Sequence, residues 1–304
     1  MKATVYVPAS IGNVGPGFDV LGLAVSGLGD EITVHLGQME DKVLGVTGLD
    51  ADLVPLEAGK NAVVIAAKKY LESKNLKYGV QIEIHRQLPI AGGLGSSAAA
   101  SVGGALGAAF AAQVPFTDED ILKAALAGES YTSGKHLDNI APCFLGGFCT
   151  VLSNTPPKVY SLAQNSSWWI ALLTPDCSLP TKTSRNLLPT HLEQNEWVKI
   201  MSHSIALVAA FEKADEKLLS LSLQDFYAEP RRAPLIKNFY SVKEAALKSE
   251  ALTCALSGAG PTIFAICKNE ISAKTVLKSM EKELESPPRL SHIGPISTQG
   301  AKRL

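Results

Sequence analysis

The chain carries almost no net charge: 28 Lys+Arg stand against 29 Asp+Glu, a formal −1 at pH 7. Nor does it contain a run of basic residues, so it lacks the Lys/Arg-rich stripe and high pI of a nucleic-acid binder, and nucleic acid is excluded as a partner. Long hydrophobic runs are missing too. The most apolar stretch, Ala98 to Ala112, is Ala and Gly with few large side chains, and it is shorter than the roughly 20 residues a membrane span needs. It reads as a buried helix, and no membrane partner is expected. The N-terminus, Met1 to Pro8, alternates like a strand without the apolar core or small-residue cleavage site of a signal peptide, which points to the cytoplasm. Cysteine is scarce. Cys143, Cys149, Cys177, Cys254 and Cys267 form no CxxC pair and have no His at metal-ligand spacing, which argues against a disulfide framework and a zinc site and for reduced, mostly buried thiols. There are no internal repeats or low-complexity tracts. What is present is a globular composition, 46% apolar with mean hydropathy +0.13. For 304 residues the expectation is two domains of roughly 150 residues each.

Along the chain, Ile32 to Leu36 alternates at period two, and Asn61 to Ser73 has apolar residues at helical spacing (Val64, Ala67, Leu71) behind Asn61 as N-cap. Val80 to His85 alternates as a half-buried strand. Then come Leu88-Pro89, a glycine-rich loop and the Ala-rich helix. Asp118 to Leu126 reads as a helix capped by Thr117, with Glu119 and Asp120 complementing its dipole. Pro156-Pro157 marks a natural boundary, giving domains 1–157 and 158–304. The second half reads as a buried strand from Trp168 to Leu173, a helical region from Glu196 to Leu221, a glycine turn running into the apolar strand Thr262 to Ile266, and a charged helix from Ser272 to Glu285. Its apolar stretches make a homodimer a possibility.

The join of strand, glycine loop and helix carries the chemistry. Unpaired N–H groups and the positive end of the helix dipole converge there, which suits a phosphate, and a Cβ would block the approach. Gly93-x-Gly95-x-x-Ala98 also matches the dinucleotide fingerprint. That reading fails on context, because the preceding strand exposes Gln81, Glu83 and His85 on one face and no acidic residue ends a second strand about 20 positions on. No GxxxxGK[ST] and no protein-kinase signature occur.

The segment Pro89-Ile90-Ala91-Gly92-Gly93-Leu94-Gly95-Ser96-Ser97-Ala98-Ala99 strongly resembles the phosphate loop of the GHMP small-molecule kinase superfamily. Further stretches follow in the order of its homoserine kinase branch. Pro8 to Gly22 is similar to the N-terminal substrate loop, and Gly128-Glu129 with His136 to Pro142 and Gly146-Gly147 to the central motif. Thr181 to Arg185 with Leu188-Pro189, Ala228 to Arg232, and Leu256 to Thr262 complete the pattern. The resemblance implies an α+β, two-domain GHMP kinase fold. The N-terminal domain would hold a left-handed βαβ crossover and the phosphate loop, the C-terminal domain would be ferredoxin-like, and the active site would lie between them.

The implied activity is transfer of the γ-phosphoryl of ATP to the hydroxyl of homoserine, with Mg²⁺ as cofactor. The backbone of Pro89 to Ala99 would hold the phosphates, Asn61 would lie at the adenine, and Ser97 and Glu129 would ligate Mg²⁺ through oxygen. A zwitterionic amino acid needs a carboxylate partner and an ammonium partner. The resemblance gives the first role to Arg185 and Arg232, whose planar forks suit a carboxylate. It makes Asn13, Asp19 and Asn139 the remaining substrate contacts, Asp19 facing the ammonium or hydroxyl, with Thr181 a further candidate. Asn139 stands where many relatives carry an Asp and cannot take a proton. Catalysis by Asn139, Asp19, Arg185 and Arg232 would then rest on positioning and electrostatics, with His136 a competing base. A GHMP kinase acting on another small alcohol, or a non-catalytic sensor of the same fold, is the alternative.

Overall fold

The structure, a computed structural model, describes residues 1–163 and 167–304, without the side chains of Ala163, Thr181 and Lys182. Strands β1 (Lys2–Gly12), β2 (Leu21–Gly37) and β3 (Lys42–Gly48) are followed by helix α1 (Ala62–Ser73) and strand β4 (Gly79–Arg86). Helices α2 (Ser96–Ala112), α3 (Asp118–Thr132) and α4 (Ile140–Leu145) lead to the hairpin β5 (Phe148–Asn154) and β6 (Pro157–Ala163). Next come β7 (Trp169–Thr174), α5 (Thr181–Arg185), α6 (Gln194–Lys213), α7 (Glu216–Ser222), α8 (Glu229–Arg232) and α9 (Phe239–Lys248). The chain finishes with β8 (Thr253–Leu256), β9 (Ile263–Cys267), α10 (Glu270–Glu281), β10 (Leu290–Pro295) and β11 (Lys302–Arg303).

Seven strands form the first sheet, ordered β11-β1-β2-β4-β3, with β5 bridging β2 and β6. Strands β3 and β4 are parallel and joined through α1, the βαβ unit expected near the phosphate loop. Alternation places Val5, Val7, Ala9 and Ile11 of β1 at 0% exposure. Helix α2 is apolar on every side because α1, α3 and the sheet surround it. Its small residues permit that. A Cβ on Gly103 would lie 2.3 Å from Ile32 Cδ1, and one on Gly104 2.2 Å from the Val63 carbonyl. The two sequence-read caps are formed: Asn61 Oδ1 accepts the Val63 N–H (3.0 Å), and Thr117 closes a capping box with Asp120.

The second sheet is antiparallel in the order β10-β7-β9-β8, the ferredoxin-like arrangement of a split βαβ. One face packs Leu173, Ile263 and Ala265 against Val242 of α9 and Val276 of α10. The other face joins the first core, where Phe211 of α6 stacks on Phe148 (centroids 4.1 Å) and meets Trp168 edge-on. The two sheets therefore share apolar packing.

Two expectations are corrected. Pro156-Pro157 is a hairpin turn rather than a boundary: β6 pairs with β5, and β11 returns to pair with β1, so the first sheet takes residues from both sides of the 157/158 division. The helical region from Glu196 to Leu221 is two helices, broken where Ala214 adopts φ +50° and Asp215 caps α7 by accepting the Leu218 N–H. All five cysteines are free, four of them buried. Among the described residues no helix is long and apolar enough to cross a membrane.

Candidate active site

A cavity of about 320 Å³ lies between the phosphate loop, the substrate loop and the turn after β8. The loop from Pro89 to Gly95 reaches it through left-handed residues, Ala91 (φ +51°), Gly93 (φ +83°) and Gly95 (φ +66°). Gly95 needs glycine on both counts, since a Cβ there would also sit 1.9 Å from Ser10 Oγ. It is the N-cap of α2 and supplies no side chain, so the first N–H groups of a 17-residue helix remain for a ligand. Pro89, Ile90, Ala91, Gly92, Gly93, Gly95, Ser96 and Ser97 line the cavity, whereas Leu94, Ala98 and Ala99 are buried behind it. Asn61 also lines it, but its side chain is occupied in capping α1 and in donating to the Pro55 carbonyl (2.9 Å).

Helices α2 and α3 bring Ser97 and Glu129 together. Ser97 Oγ donates to Glu129 Oε1 (3.0 Å) and pairs with Ser133 Oγ (3.0 Å). Glu129 Oε2 is buried without a partner among the described residues, and burial pushes the carboxyl up to about 8. An orphaned carboxylate oxygen beside a hydroxyl, next to a phosphate cradle, is the hard-oxygen donor set that Mg²⁺ takes. These residues fit the cation. Asp138, across the cavity, is pushed up to about 7 by burial and then by the charge of Asp19, although the Asn13 N–H donates to its Oδ2 (3.1 Å).

On the substrate loop, Asn13 (φ +53°) and Asp19 (φ +58°) are held by the Asp19 N–H donating to Asn13 Oδ1 (2.7 Å). Asp19 and Arg185 form a bidentate pair, Nη2 to Oδ1 at 2.7 Å and Nη1 to Oδ2 at 3.0 Å. Thus the two groups expected to hold opposite ends of a zwitterion hold each other. His136 Nδ1 lies 3.6 Å from Asp19 Oδ1 and 3.4 Å from Arg185 Nη2, and burial lowers its pKa, against the pull of the Asp19 charge. Asn139 Oδ1 accepts from Ser10 Oγ (2.9 Å), which aims its amide along the cavity wall.

Arg232 sits differently from Arg185. It is 1% exposed, is absent from the cavity wall, and donates through Nη1 to the Gly258 carbonyl (3.0 Å). Both guanidiniums pack on Phe18, at 5.1 Å for Arg185 and 5.5 Å for Arg232. Arg232 has no salt-bridge partner among the described residues, and the carboxylates of Asp225, Asp19 and Asp138 are the opposite charges that act on it. Thr181 begins α5, but its side chain lies outside the described residues.

Asp138 and Ser133 are site residues that sequence reasoning missed. Asp138 was visible only as the neighbour of Asn139, and Ser133, four residues after Glu129 and so on the same helical face, gave a periodicity signal no stronger than that of any surface serine.

The family of GHMP kinases N terminal domains covers residues 61–147, and that of GHMP kinases C terminal domains covers residues 207–286. A homoserine kinase from Chloroherpeton thalassium is 32% identical over 100% of this chain and 99% of its own length. The chain belongs to the homoserine kinase family. The Pyrococcus abyssi homoserine kinase is 35% identical over 94% of this chain and 93% of its own. The crystal structure of homoserine kinase from Cytophaga hutchinsonii superposes with a TM-score of 0.93 at 33% identity, covering 100% of this chain and 97% of that one. A mevalonate kinase from L. major, at 14% identity and TM-score 0.72, shares the fold. The two-domain GHMP kinase fold implied by the sequence is thus that of this homoserine kinase family member.

Proposed function

We propose that this chain is an ATP-dependent homoserine kinase working in the cytoplasm, forming O-phospho-L-homoserine on the route to threonine. The homoserine oxygen bonds to the γ-phosphorus, the bond from that phosphorus to the β,γ-bridging oxygen breaks, and ADP leaves. The observation that carries the reading is the juxtaposition, in one cavity, of a phosphate cradle with a pair of opposite charges, Asp19 and Arg185. Five free cysteines, four of them buried, accord with a reducing compartment.

The loop N–H groups of Gly93 to Ser97 bind and orient the triphosphate. Ser97 and Glu129 would hold Mg²⁺, which neutralises charge developing on the phosphoryl oxygens. Asp19 takes the substrate ammonium and Arg185 its carboxylate. Asn13 and Asn139 orient the hydroxyl toward the γ-phosphate. Neither amide takes a proton. The hydroxyl proton passes late to a phosphoryl oxygen, and a loose transition state makes little demand on a base.

The test is ADP release by the purified protein with Mg²⁺-ATP, offering L-homoserine, mevalonate, L-serine or no acceptor. Release dependent on L-homoserine alone is expected. Release with mevalonate instead would keep the phosphate cradle and overturn the roles of Asp19 and Arg185, because mevalonate has no ammonium group.

A further inference from the structure

Ser10 and Gly12 share one face of β1, and both come up against the residue that opens α4. That residue, Asn139, stands at the N-cap, where the side chain of an asparagine ordinarily accepts an N–H of the first turn. It makes no such bond. The donors it would serve are gone: Pro142, at the third helical position, has no N–H, and the Ala141 N–H is given to the Leu137 carbonyl (2.8 Å). Asn139 is therefore not present as a cap, and its Oδ1 accepts from the Ser10 hydroxyl instead (2.9 Å).

Ser10 itself is held firmly. It is 0% exposed, its N–H donates to the Leu94 carbonyl (3.2 Å), and the Cys143 thiol donates to its Oγ (3.4 Å), which leaves its single hydroxyl hydrogen for Asn139. Two glycines make room for the amide: a Cβ on Gly95 would lie 3.0 Å from Asn139 Oδ1, and one on Gly12 would lie 2.3 Å from Nδ2. At its other end Nδ2 is 3.5 Å from Asp138 Oδ2, an oxygen that already accepts the Asn13 N–H. The opposite sense of the amide would set its carbonyl oxygen against that acceptor. Ser10 donating at one end and Asp138 accepting at the other thus hold the amide in one sense.

We propose that Ser10 is a positioning residue for phosphoryl transfer: its hydroxyl fixes the sense of the Asn139 amide, so that Asn139 offers the cavity a hydrogen-bond donor, Nδ2, and no acceptor. The inference deepens the kinase reading and rests on it. The oxygens that meet in the reaction, that of the acceptor hydroxyl and those of the γ-phosphoryl group, all carry lone pairs, and a donor already held in place serves them without reorganising. Ser10 touches neither substrate, since Asn139 lines the cavity and Ser10 stands behind it. Its loss therefore belongs in turnover rather than in binding.

The test compares Ser10→Ala, Asn139→Ala and the double variant with the unmodified protein, by steady-state kinetics, thermal melting and nitrogen–proton NMR spectra of the side-chain amides. Ser10→Ala should lower kcat roughly tenfold, the factor corresponding to about 1.4 kcal/mol for one hydrogen bond, and leave KM for MgATP and for homoserine within about twofold. On the Asn139→Ala background the same change should alter kcat by less than about twofold, because the group through which Ser10 acts is gone. The Asn139 amide signals, identified by their absence from Asn139→Ala, should shift in Ser10→Ala. Signals that stay in place overturn the proposal, as does a loss of kcat that recurs in full on the Asn139→Ala background, the additive result of a merely structural serine. Should Ser10→Ala not fold, Ser10→Cys, whose thiol is a weak donor, carries the same comparison. A chain that shows this coupling with a different acceptor and transfers nothing to homoserine would defeat the homoserine assignment and leave this inference standing.

Discussion

Glu129 shows how a single residue can be costly to the fold and necessary to the site. Its Oε2 is buried with no donor among the described residues, a condition that a neutral amide or a protonated acid tolerates better than a carboxylate does. Replacing it by Gln should leave melting temperature equal or higher, while kcat/KM falls by at least roughly 10²-fold, as for other lost electrostatic stabilisers of a transition state. Ser97→Ala should show the same loss of activity with circular dichroism unchanged. A Glu129→Gln enzyme of full activity would remove Mg²⁺ from these residues. The same carboxyl makes stability depend on pH. Its pKa is raised from 4.5 to about 8 in the folded chain, and that of Asp138 from 3.8 to about 7. The folded state thus keeps protons that the unfolded state has already lost, so the stabilisation is complete below the unfolded values and disappears as pH rises through the folded ones. In EDTA, melting temperature should decline between about pH 5 and about pH 8, and Glu129→Gln should flatten the decline. A flat profile for the unmodified chain would show that Glu129 is ionised throughout.

Among the elements, the phosphate loop was the most legible, because its glycines answer a steric demand that sequence states directly. Gly95→Ala puts a Cβ at φ +66° and against Ser10 Oγ. The expected loss is at least about 1–2 kcal/mol of stability from the left-handed conformation, with MgATP binding abolished, measured by chemical denaturation and calorimetry. Helix α2 and the caps at Asn61 and Thr117 were equally readable, since composition and capping chemistry are local. The break at Ala214 was not, because Lys213-Ala214-Asp215 holds no helix-breaking Gly or Pro and apolar spacing continues across it. Asp19 and Arg185 could be recognised as site residues, but their mutual pairing joins positions 166 residues apart, a long-range contact that no spacing encodes. Asp138 escaped for a similar reason. Its chemistry comes from burial, and burial is a property of the folded neighbourhood.

At the scale of the whole molecule, the division of the chain into halves was the weakest expectation. Pro156-Pro157 looked like punctuation between domains and serves as punctuation within a hairpin, while β11, two residues long, carries no detectable pattern of its own. Yet that short strand closes the sheet: Val5 and Tyr6 pair with Arg303 and Lys302, the Ala301 N–H donates to the Cys143 carbonyl, and the Leu304 N–H to the Thr4 carbonyl. Deleting residues 301–304 should therefore lower the melting temperature by several degrees, far more than loss of an unpaired tail, and expose β1 to proteolysis. An unchanged melting curve would show that the closure contributes nothing. During synthesis the same pairing imposes a wait. A ribosome adding about 5–20 residues per second reaches β11 roughly 15–60 s after β1 has emerged, so the outer edge of the first strand passes most of translation without its neighbour. Crowded polysomes would be the place where that bare edge meets the wrong strand, and the nascent chain, rather than the finished enzyme, is where this protein is most exposed to aggregation.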